Sequence, residues 1–439
     1  MDFSPHTAED RAQMLSVLGL SSLDDLFAAI PPELRARDWP LPGPLSELEV
    51  CKCLGRLADK NAHGLTCFLG GGFYDHFIPA AVDALIRRSE FYTVYTPYQP
   101  EIAQGTLQAI YEYQSAICRL TGLYASNASL YDGGTALFEA AMMAVRKTGR
   151  KRLVICRAVN PIYRVMLASY TANLHLELVE EDLEGTSCAA DLLDDKTAAL
   201  IMQNPDFFGR VHEFSQAFAQ AHSHGALAIL CCNPIALGAL RTPAEMGADI
   251  AVGEGQPLGL PLSFGGPYLG FMAVSEALLR LMPGRVVGRT VDGQGRAGYC
   301  LTLQTREQHI RREKATSNIC TNQALCAVAA LIYLCLLGKQ GLQELAQLNM
   351  AQAAYARQRL TAIPGVRLMD AGPWFNEFRL ELPSDARVAV SRLIDKGIAA
   401  GFPLGRYYPE QANALLVAVT EKRSKEEIGN LAEALEAVL

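Results

Sequence analysis

Short apolar runs alternate with helical segments from about residue 150 onwards. The runs carry few charged residues, as strands buried on both faces do; they are Leu153–Cys156, Leu174–Val179, Ala198–Met202, Leu227–Cys231, Ile250–Gly253 and Leu269–Val274. Asn160–Tyr170 and Val211–His222 show the clearest helical period, and Pro161 stands in the first turn, where proline is tolerated. This alternation predicts an α/β fold with a mostly parallel sheet covered by helices on both faces.

The first 62 residues predict a helical arm. Thr7 is placed to cap a first helix and Ser22 a second, and a third apolar-periodic segment runs from Leu45 to Ala58. Few of these residues could close a core of their own. The arm is therefore expected to pack on another surface.

The pattern changes after residue 282. Glycine turns at Pro283-Gly-Arg285 and within 291–298 predict a β-hairpin or lobe. The longest apolar run, Ala324–Leu337, is too short for a membrane span and predicts a buried helix. A smaller α+β unit follows, comprising helix Leu342–Leu360, strand Phe375–Leu382, helix Ala386–Lys396, strand Leu415–Val419 and a terminal helix. The predicted domains are the arm (1–62), a large α/β domain (63–337) and a small C-terminal α+β domain (338–439).

One aromatic stretch follows neither period: Tyr92-Thr-Val-Tyr-Thr-Pro-Tyr-Gln-Pro-Glu101. Each proline disfavours the helical region for the residue before it, so the segment is expected to be extended and stiff. It then holds Tyr95, Tyr98 and Gln99 in defined orientations. Two interpretations stand: a buried aromatic corner under a loop, or the lining of a small-molecule site, where rigid aromatic rings with polar tips fix a ligand.

Glycine turns and a polar loop mark candidate anion sites. Gly70-Gly71-Gly72 allows close backbone approach, and Asp132-Gly-Gly-Thr135 opens a helix over 136–147 whose free N–H groups and dipole could hold an anion. An ordinary loop-to-helix turn remains the alternative. The polar segment Ser317–Asn322, before the long apolar helix, carries hydroxyl and amide groups suited to an oxyanion.

Composition excludes several classes of protein. The 439 residues are 50% hydrophobic and 19% charged, an ordinary globular balance, and the net charge of −7 leaves no basic face for nucleic acid. The N-terminus lacks the basic and apolar regions of a signal peptide, and the twelve cysteines, without any Cys-x-x-Cys, favour free buried thiols in a reducing cytoplasm. Neither the cysteines nor the histidines are grouped as metal ligands are, so we expect no metal site. We also expect no membrane span, because the longest apolar run is too short.

The order of elements resembles the large aspartate-aminotransferase-type (type I) fold of pyridoxal-phosphate (PLP) enzymes. Such enzymes need a Schiff-base lysine and an acid beside the pyridine nitrogen. No lysine occurs between Lys196 and Lys314, and no acid between Gly225 and Ala244. The strand and loop 249–257 stand where the lysine belongs. This chain is therefore not expected to bind PLP covalently by itself.

Four motifs make the resemblance narrower. They are Thr93-Val-Tyr-Thr-Pro-Tyr-Gln-Pro-Glu101, Asn127-Ala-Ser-Leu-Tyr-Asp-Gly-Gly-Thr-Ala136, Gly265-Gly-Pro267 and Arg312-Glu-Lys-Ala-Thr-Ser-Asn-Ile-Cys-Thr-Asn322. Over essentially the whole chain the sequence resembles the glycine cleavage system P-protein family, and within it the α subunits of the two-subunit form. The resemblance implies glycine decarboxylation on PLP and transfer of the aminomethyl group to the lipoyl arm of the H-protein. It also implies a partner β subunit that anchors the PLP, in an α2β2 complex.

The resemblance implies a site shared between subunits. Tyr95, Tyr98 and Gln99 would face glycine or PLP, while Thr321 and Asn322 would reach the phosphate of partner-bound PLP. Gly71 and Gly72 would allow close approach to that cofactor. Arg312 and Glu101 are secondary candidates, for the glycine carboxylate or the lipoyl arm.

Two other functions remain open at this point. The chain could be a non-catalytic partner that stabilises the PLP-binding β subunit and supplies no site residue. It could also be an independent PLP enzyme that uses Lys314, although this lysine lies in a charged run rather than behind a strand.

Overall fold

The computed structural model describes residues 5–36, 40–182 and 192–439. The helices are α1 Ala8–Val17, α2 Glu47–Ala58, α3 Ala80–Ile86, α4 Ser89–Tyr92, α5 Gln104–Thr121, α6 Gly133–Thr148, α7 Pro161–Thr171, α8 Ser215–Ser223, α9 Gln308–Arg311, α10 Ala324–Leu360, α11 Ala386–Ile394 and α12 Lys425–Glu436. The strands are β1 Thr66–Cys67, β2 Ala125–Ser126, β3 Arg152–Cys156, β4 Glu177–Glu181, β5 Thr197–Asn204, β6 Leu227–Cys232, β7 Ile250–Glu254, β8 Gly270–Val274, β9 Val286–Val291, β10 Ala297–Thr302, β11 Arg367–Leu368, β12 Glu377–Glu381, β13 Ile398–Ala399, β14 Phe402–Pro403 and β15 Ala414–Ala418.

The first 63 residues form one unit and residues 64–439 a second. In the first unit, Thr7 and Ser46 cap α1 and α2 through reciprocal bonds to Asp10 and Glu49. None of its described residues is buried. Its large apolar side chains are instead exposed, among them Met14, Val17, Leu18, Leu26, Phe27, Leu48, Leu54 and Leu57. The arm therefore has no buried core of its own, and its apolar side chains remain exposed.

A seven-stranded sheet organises the second unit, in the order β2-β8-β7-β6-β5-β3-β4. The pairs from β4 to β7 are parallel, and β8 runs antiparallel to both β7 and β2. The predicted mostly parallel sheet is thus confirmed. The predicted strand start at Leu174 is wrong: Leu174 lies in the turn after α7, and the half-exposed edge strand β4 begins at Glu177.

Small side chains bring α6 close to the sheet. Ala136, Ala140, Ala141 and Ala144 are completely buried in the main core, at the spacing of one helix face.

The predicted start of α8 at Val211 is wrong, because the backbone before Ser215 forms hydrogen bonds outside the helix. The Val211 N–H donates to the Pro373 carbonyl, and the helix begins only at Ser215.

The long apolar helix α10 is kinked at Gly338, where φ is 63° and ψ is −174°. Before the kink, Ala327, Ala330 and Tyr333 are buried in a core with β7 and β8 residues. The helix is long and apolar enough to cross a membrane by length and composition alone, a test that core helices also pass. Its buried residues identify it as a core helix.

The residues after Gly338 form their own four-stranded sheet, in the order β11-β12-β15-β14. The second half of α10 and helices α11 and α12 bury a separate core against it. Strand β1 pairs with β13, and Phe68 belongs to this same core. The predicted hairpin is confirmed as the antiparallel pair β9–β10. The three-domain division stays a prediction.

Cysteine chemistry differs in one respect from the expectation. No disulfide joins the cysteines of the described ranges, but Cys51, Cys320 and Cys335 are exposed rather than buried. No group of three or more histidine, cysteine or acidic side chains in those ranges could hold a metal.

Candidate functional site

The carboxyl ends of β5, β6 and β7 meet the start of α6, where α/β folds usually bind their ligands. The cavity at this edge measures about 40 Å³. Its walls include Tyr74, Asn160, Tyr163, Glu254 and Glu377. We refer to it below as the sheet-edge cleft. Such a volume holds a few water molecules at most.

Glu254, the last residue of β7, occupies the anion position of the α6 N-terminus. One carboxylate oxygen accepts the Gly133 N–H at 3.0 Å, and the other accepts the N–H groups of Gln256 and Leu269, each at 2.9 Å. Burial raises the pKa of Glu254 to about 7, although the three N–H groups favour its ionised form. The glycine turn therefore binds a carboxylate that belongs to the chain itself.

Neighbouring side chains pack tightly against the same turn. A Cβ placed on Gly133 would overlap the Tyr163 hydroxyl, and one on Gly134 would overlap the thioether of Met166. The turn is shaped by close packing of α7 against α6. The Thr135 N–H is bonded to the Asp132 carboxylate at 2.8 Å.

Glu377 closes the cleft from the side of β12. It accepts the Gly71 N–H at 2.6 Å and the Tyr74 hydroxyl at 2.8 Å. Burial raises the pKa of Glu377 to about 7, and these two donors partly oppose the shift. Gly71 and Gly72 do allow a close approach, but the group that approaches is the Asn160 amide, which bonds the Gly71 carbonyl at 2.8 Å.

The sheet-edge cleft of this chain does not fit PLP. A carboxylate stands where the helix would hold a phosphate, and no lysine lines the cavity. The residues at the end of β6, Cys231, Cys232 and Asn233, supply no acid for a pyridine nitrogen. Lys314 is exposed in a short turn and is not among the lining residues.

Replacing Glu377 with glutamine tests the charge in the cleft. Its folded pKa of about 7 exceeds the ordinary 4.5, so between these values the folded chain keeps a proton that the unfolded chain loses. Stability then falls as pH rises through this window, by about 3 kcal/mol in total. Glu377→Gln keeps both hydrogen bonds and removes this slope, so we expect nearly equal stability at pH 4 and a gain of about 2–3 kcal/mol at pH 8 in denaturant unfolding.

The control for this measurement is Glu276→Gln, at an exposed position. Glu254 titrates in the same window, but it contributes equally to wild type and variant, so their difference isolates Glu377. A loss of stability of equal size at both pH values would contradict the buried charge.

The predicted aromatic residues lie away from the cleft and face outward. Tyr95 is 74% exposed and Tyr98 49%, and Gln99 is exposed beside them. Thr93–Gln99 forms neither helix nor strand, as expected of the proline-flanked stretch. The buried-corner interpretation is wrong for these side chains, because only Pro97 of this segment is buried.

A second cluster brings Tyr98 and the polar loop together through Arg285. The guanidinium of Arg285 lies 5.5 Å from the Tyr98 ring centre and donates to the Asn322 amide oxygen at 3.0 Å. The Asn322 amide nitrogen donates to the Ala128 carbonyl at 3.0 Å. The Thr321 hydroxyl lies 3.4 Å from that of Tyr131. The turn 131–133 thus separates this cluster from the sheet-edge cleft.

Sequence reasoning missed Glu254, Glu377 and Arg285. Glu254 had a visible signal, since a lone acid ends an apolar strand. Arg285 also had one, since it stands between a glycine turn and the apolar start of β9. Glu377 had none, because its partner Gly71 lies 306 positions away in the chain.

The fold places the chain in a known structural class of proteins. The chain shares the type I fold of PLP-dependent enzymes with the glutamate decarboxylase of Lactobacillus brevis, at a TM-score of 0.67 and 13% identity over 94% of this chain and 97% of that one. It also shares this fold with a C-DES variant that carries glycine covalently linked to PLP, at a TM-score of 0.63 and 14% identity over 86% of this chain and 97% of that one. The predicted fold class is confirmed.

Within this class the family is unambiguous. The family model of the glycine cleavage system P-protein matches residues 1–435. A probable glycine dehydrogenase (decarboxylating) subunit 1 from Oleidesulfovibrio alaskensis is 55% identical over 100% of both chains. A crystal structure of glycine decarboxylase (P-protein) in inhibitor-bound form has a TM-score of 0.93 and 44% identity, again over 100% of both. The chain belongs to the glycine cleavage system P-protein family.

Proposed function

We propose that this chain is the α subunit of a two-subunit glycine decarboxylase. With a β partner that anchors PLP through its own lysine, it decarboxylates glycine and passes the aminomethyl group to the lipoyl arm of the H-protein, in the cytoplasm. PLP supplies the electron sink for the decarboxylation. The observation that carries the proposal is a full-length P-protein fold whose sheet-edge cleft is closed by its own Glu254.

This chain contributes a wall of the shared site. Tyr95, Tyr98 and Gln99 are exposed on one stiff segment, so they can line a ligand held by another subunit with little loss of side-chain entropy. Thr321 and Asn322 stand next to this wall through Arg285 and contribute to binding the phosphate of the partner's PLP.

The helical arm supplies the interface with the β subunit. Its apolar side chains are exposed along α1, α2 and the turn between them. Exposed apolar side chains often mark an interaction surface, and obligate interfaces are apolar and large. An α2β2 complex, in which each arm is covered by protein, accounts for this surface.

One observation favours a second candidate function, a structural partner without site residues. The Asn322 amide is already hydrogen-bonded at both ends within the chain, and Thr321 is bonded to Tyr131. Groups satisfied in this way have less to offer a phosphate.

Co-expression with the β subunit tests the proposal directly. We expect the chain alone to remain colourless with PLP and inactive, because its own cleft has neither lysine nor space. The complex should bind PLP with visible absorbance and release CO2 from glycine. PLP trapped by borohydride on a peptide of this chain would contradict the assignment.

Substitutions in the complex separate the two candidates. Tyr95→Phe, Tyr98→Phe and Asn322→Ala should raise KM or lower kcat for glycine, with Tyr124→Phe as the control at another exposed tyrosine. If all three variants match the control in both constants, the structural role is correct.

A further inference from the structure

Arg285 is a buried cation without an anionic partner. Only 3% of the residue is exposed, yet no carboxylate of the described ranges forms an ion pair with it. Its one hydrogen bond runs to the neutral Asn322 amide, its Nε has no partner, and the Tyr98 ring covers it at 5.5 Å. Charged side chains this deeply buried are normally paired.

Arg306, which lies just after β10, repeats the pattern. It is 8% exposed and donates from Nη2 to the Gly284 carbonyl at 2.8 Å, and its Nε also lacks a partner. Burial lowers the pKa of Arg306, and the neighbouring Glu307 opposes this only in part. A second buried guanidinium group is therefore hydrogen-bonded to the backbone of Gly284, the residue before Arg285.

The backbone around Arg285 is held in place before any ligand arrives. Its carbonyl accepts the Ala128 N–H at 2.8 Å, and the Asn127 amide donates to the Pro283 carbonyl at 3.0 Å. Gly284, at φ 75°, packs against Asn127. Such rigid support is what a preorganised charge requires, because the cost of ordering is already met in the free chain.

The segment that contacts Tyr98 carries charges of both signs. His309 packs its ring against Tyr98 at 5.9 Å, and Glu307 lies 3.7 Å from His309. The exposed Arg311, Arg312, Glu313 and Lys314 follow in the chain. With two acids against three basic side chains and His309 neutral, residues 307–314 keep a net charge of +1.

We propose that Arg285, backed by Arg306, is an oxyanion-binding site that takes a carboxylate or phosphate group of the ligand in the shared site. The site rests on the proposed function, which supplies two sources of that chemistry, the glycine carboxylate and the phosphate of partner-bound PLP. A guanidinium suits both, because its planar donors match two oxygens at once. The ligand anion supplies the partner that the free chain lacks.

The test compares Arg285→Met and Arg285→Lys in the αβ complex, with Arg289→Met as the control at an exposed position of the adjoining strand β9. Loss of a charged hydrogen bond weakens binding by about 30-fold. A carboxylate ligand predicts that glycine KM rises by about this factor in Arg285→Met while the Kd of PLP is unchanged. A phosphate ligand predicts the reverse. Lysine should restore part of the loss, since it keeps the charge but not the paired donors.

A thermal melt of the free chain distinguishes a binding role from a structural one. Removing an unpaired buried charge relieves its desolvation cost, so Tm should be unchanged or higher in Arg285→Met. A lower Tm with glycine KM and PLP Kd both equal to those of Arg289→Met overturns the site. Weaker subunit assembly with both constants unchanged assigns the arginine to a carboxylate of the partner protein and also overturns it.

Failure of the site and failure of the proposed function give different results. If the wild-type complex does not release CO2 from glycine with PLP, the proposed function is wrong. If the wild-type complex is active and both Arg285 variants match the control, only the oxyanion site is wrong. Should Arg285→Met fail to assemble, Arg285→Lys decides, with a loss of at least about 5-fold in one constant alone as the supporting result.

Discussion

Gly209→Ala is expected to destabilise the chain by more than about 4 kcal/mol, enough to unfold many domains of ordinary stability. Gly209 has φ +85°, and a Cβ at this position would overlap the backbone carbonyl of Glu377. Neither backbone can yield easily, because the Gly209 carbonyl also accepts the Phe375 N–H. Denaturant unfolding of the purified chain measures the loss.

Gly247→Ala is the matched control. Its φ of +86° is nearly the same, but no atom lies within 4 Å of the added Cβ. It therefore carries the left-handed backbone penalty alone, about 1–2 kcal/mol. Equal losses in the two variants would show that the contact between Gly209 and Glu377 contributes nothing.

Glu254→Ala is expected to cost about 3–5 kcal/mol at pH 4, where the carboxyl is protonated in the folded chain, since it leaves the N–H groups of Gly133, Gln256 and Leu269 without an acceptor in a buried place. Glu254→Gln should cost about 2–3 kcal/mol at the same pH, because its amide nitrogen would face the Gly133 N–H. Both losses are measured by denaturant unfolding of the free chain.

The comparison with Glu377 makes this expectation specific. Both carboxyl groups are buried beside the same cleft with a pKa of about 7, yet at pH 4 glutamine should destabilise the chain at Glu254 and leave its stability almost unchanged at Glu377. The difference arises because Glu254 accepts only from N–H donors, whereas one donor to Glu377 is a hydroxyl that can turn. Identical effects at both positions would contradict the hydrogen-bond assignment at Glu254. The exposed Glu276→Gln should change stability by less than about 0.5 kcal/mol.

Local pattern sufficed for most elements of the fold. The apolar runs located the central strands because buried parallel strands are apolar throughout. The caps Thr7 and Ser22 marked the starts of α1 and of a short 3-10 helix, Leu23–Phe27. The two-residue β2 was missed because a strand so short has no period. The start of α8 was placed too early because Val211 and His212 look helical but bond to Pro373 and Asn204.

For the site, sequence reasoning found the exposed wall and the polar loop but not what joins them. Tyr98 and Asn322 were both predicted, and Arg285 was not, although it contacts both. Their roles toward a partner-bound cofactor stay predictions. The glycine turn at 133–134 illustrates the limit, because its sequence is that of an anion site while its anion, Glu254, comes from 121 positions further along the chain.

The sequence by itself determined the class of fold, the family, and the absence of any lysine between Lys196 and Lys314. These depend on residue identity and local period, which are read directly from the chain. Only the tertiary structure decided that the sheet-edge cleft is filled by Glu254 and Glu377, and that Arg285 lies buried with no ion-pair partner among the described residues. Those properties depend on which distant groups share one small volume, where the loss of water makes each charge and each missing partner decisive.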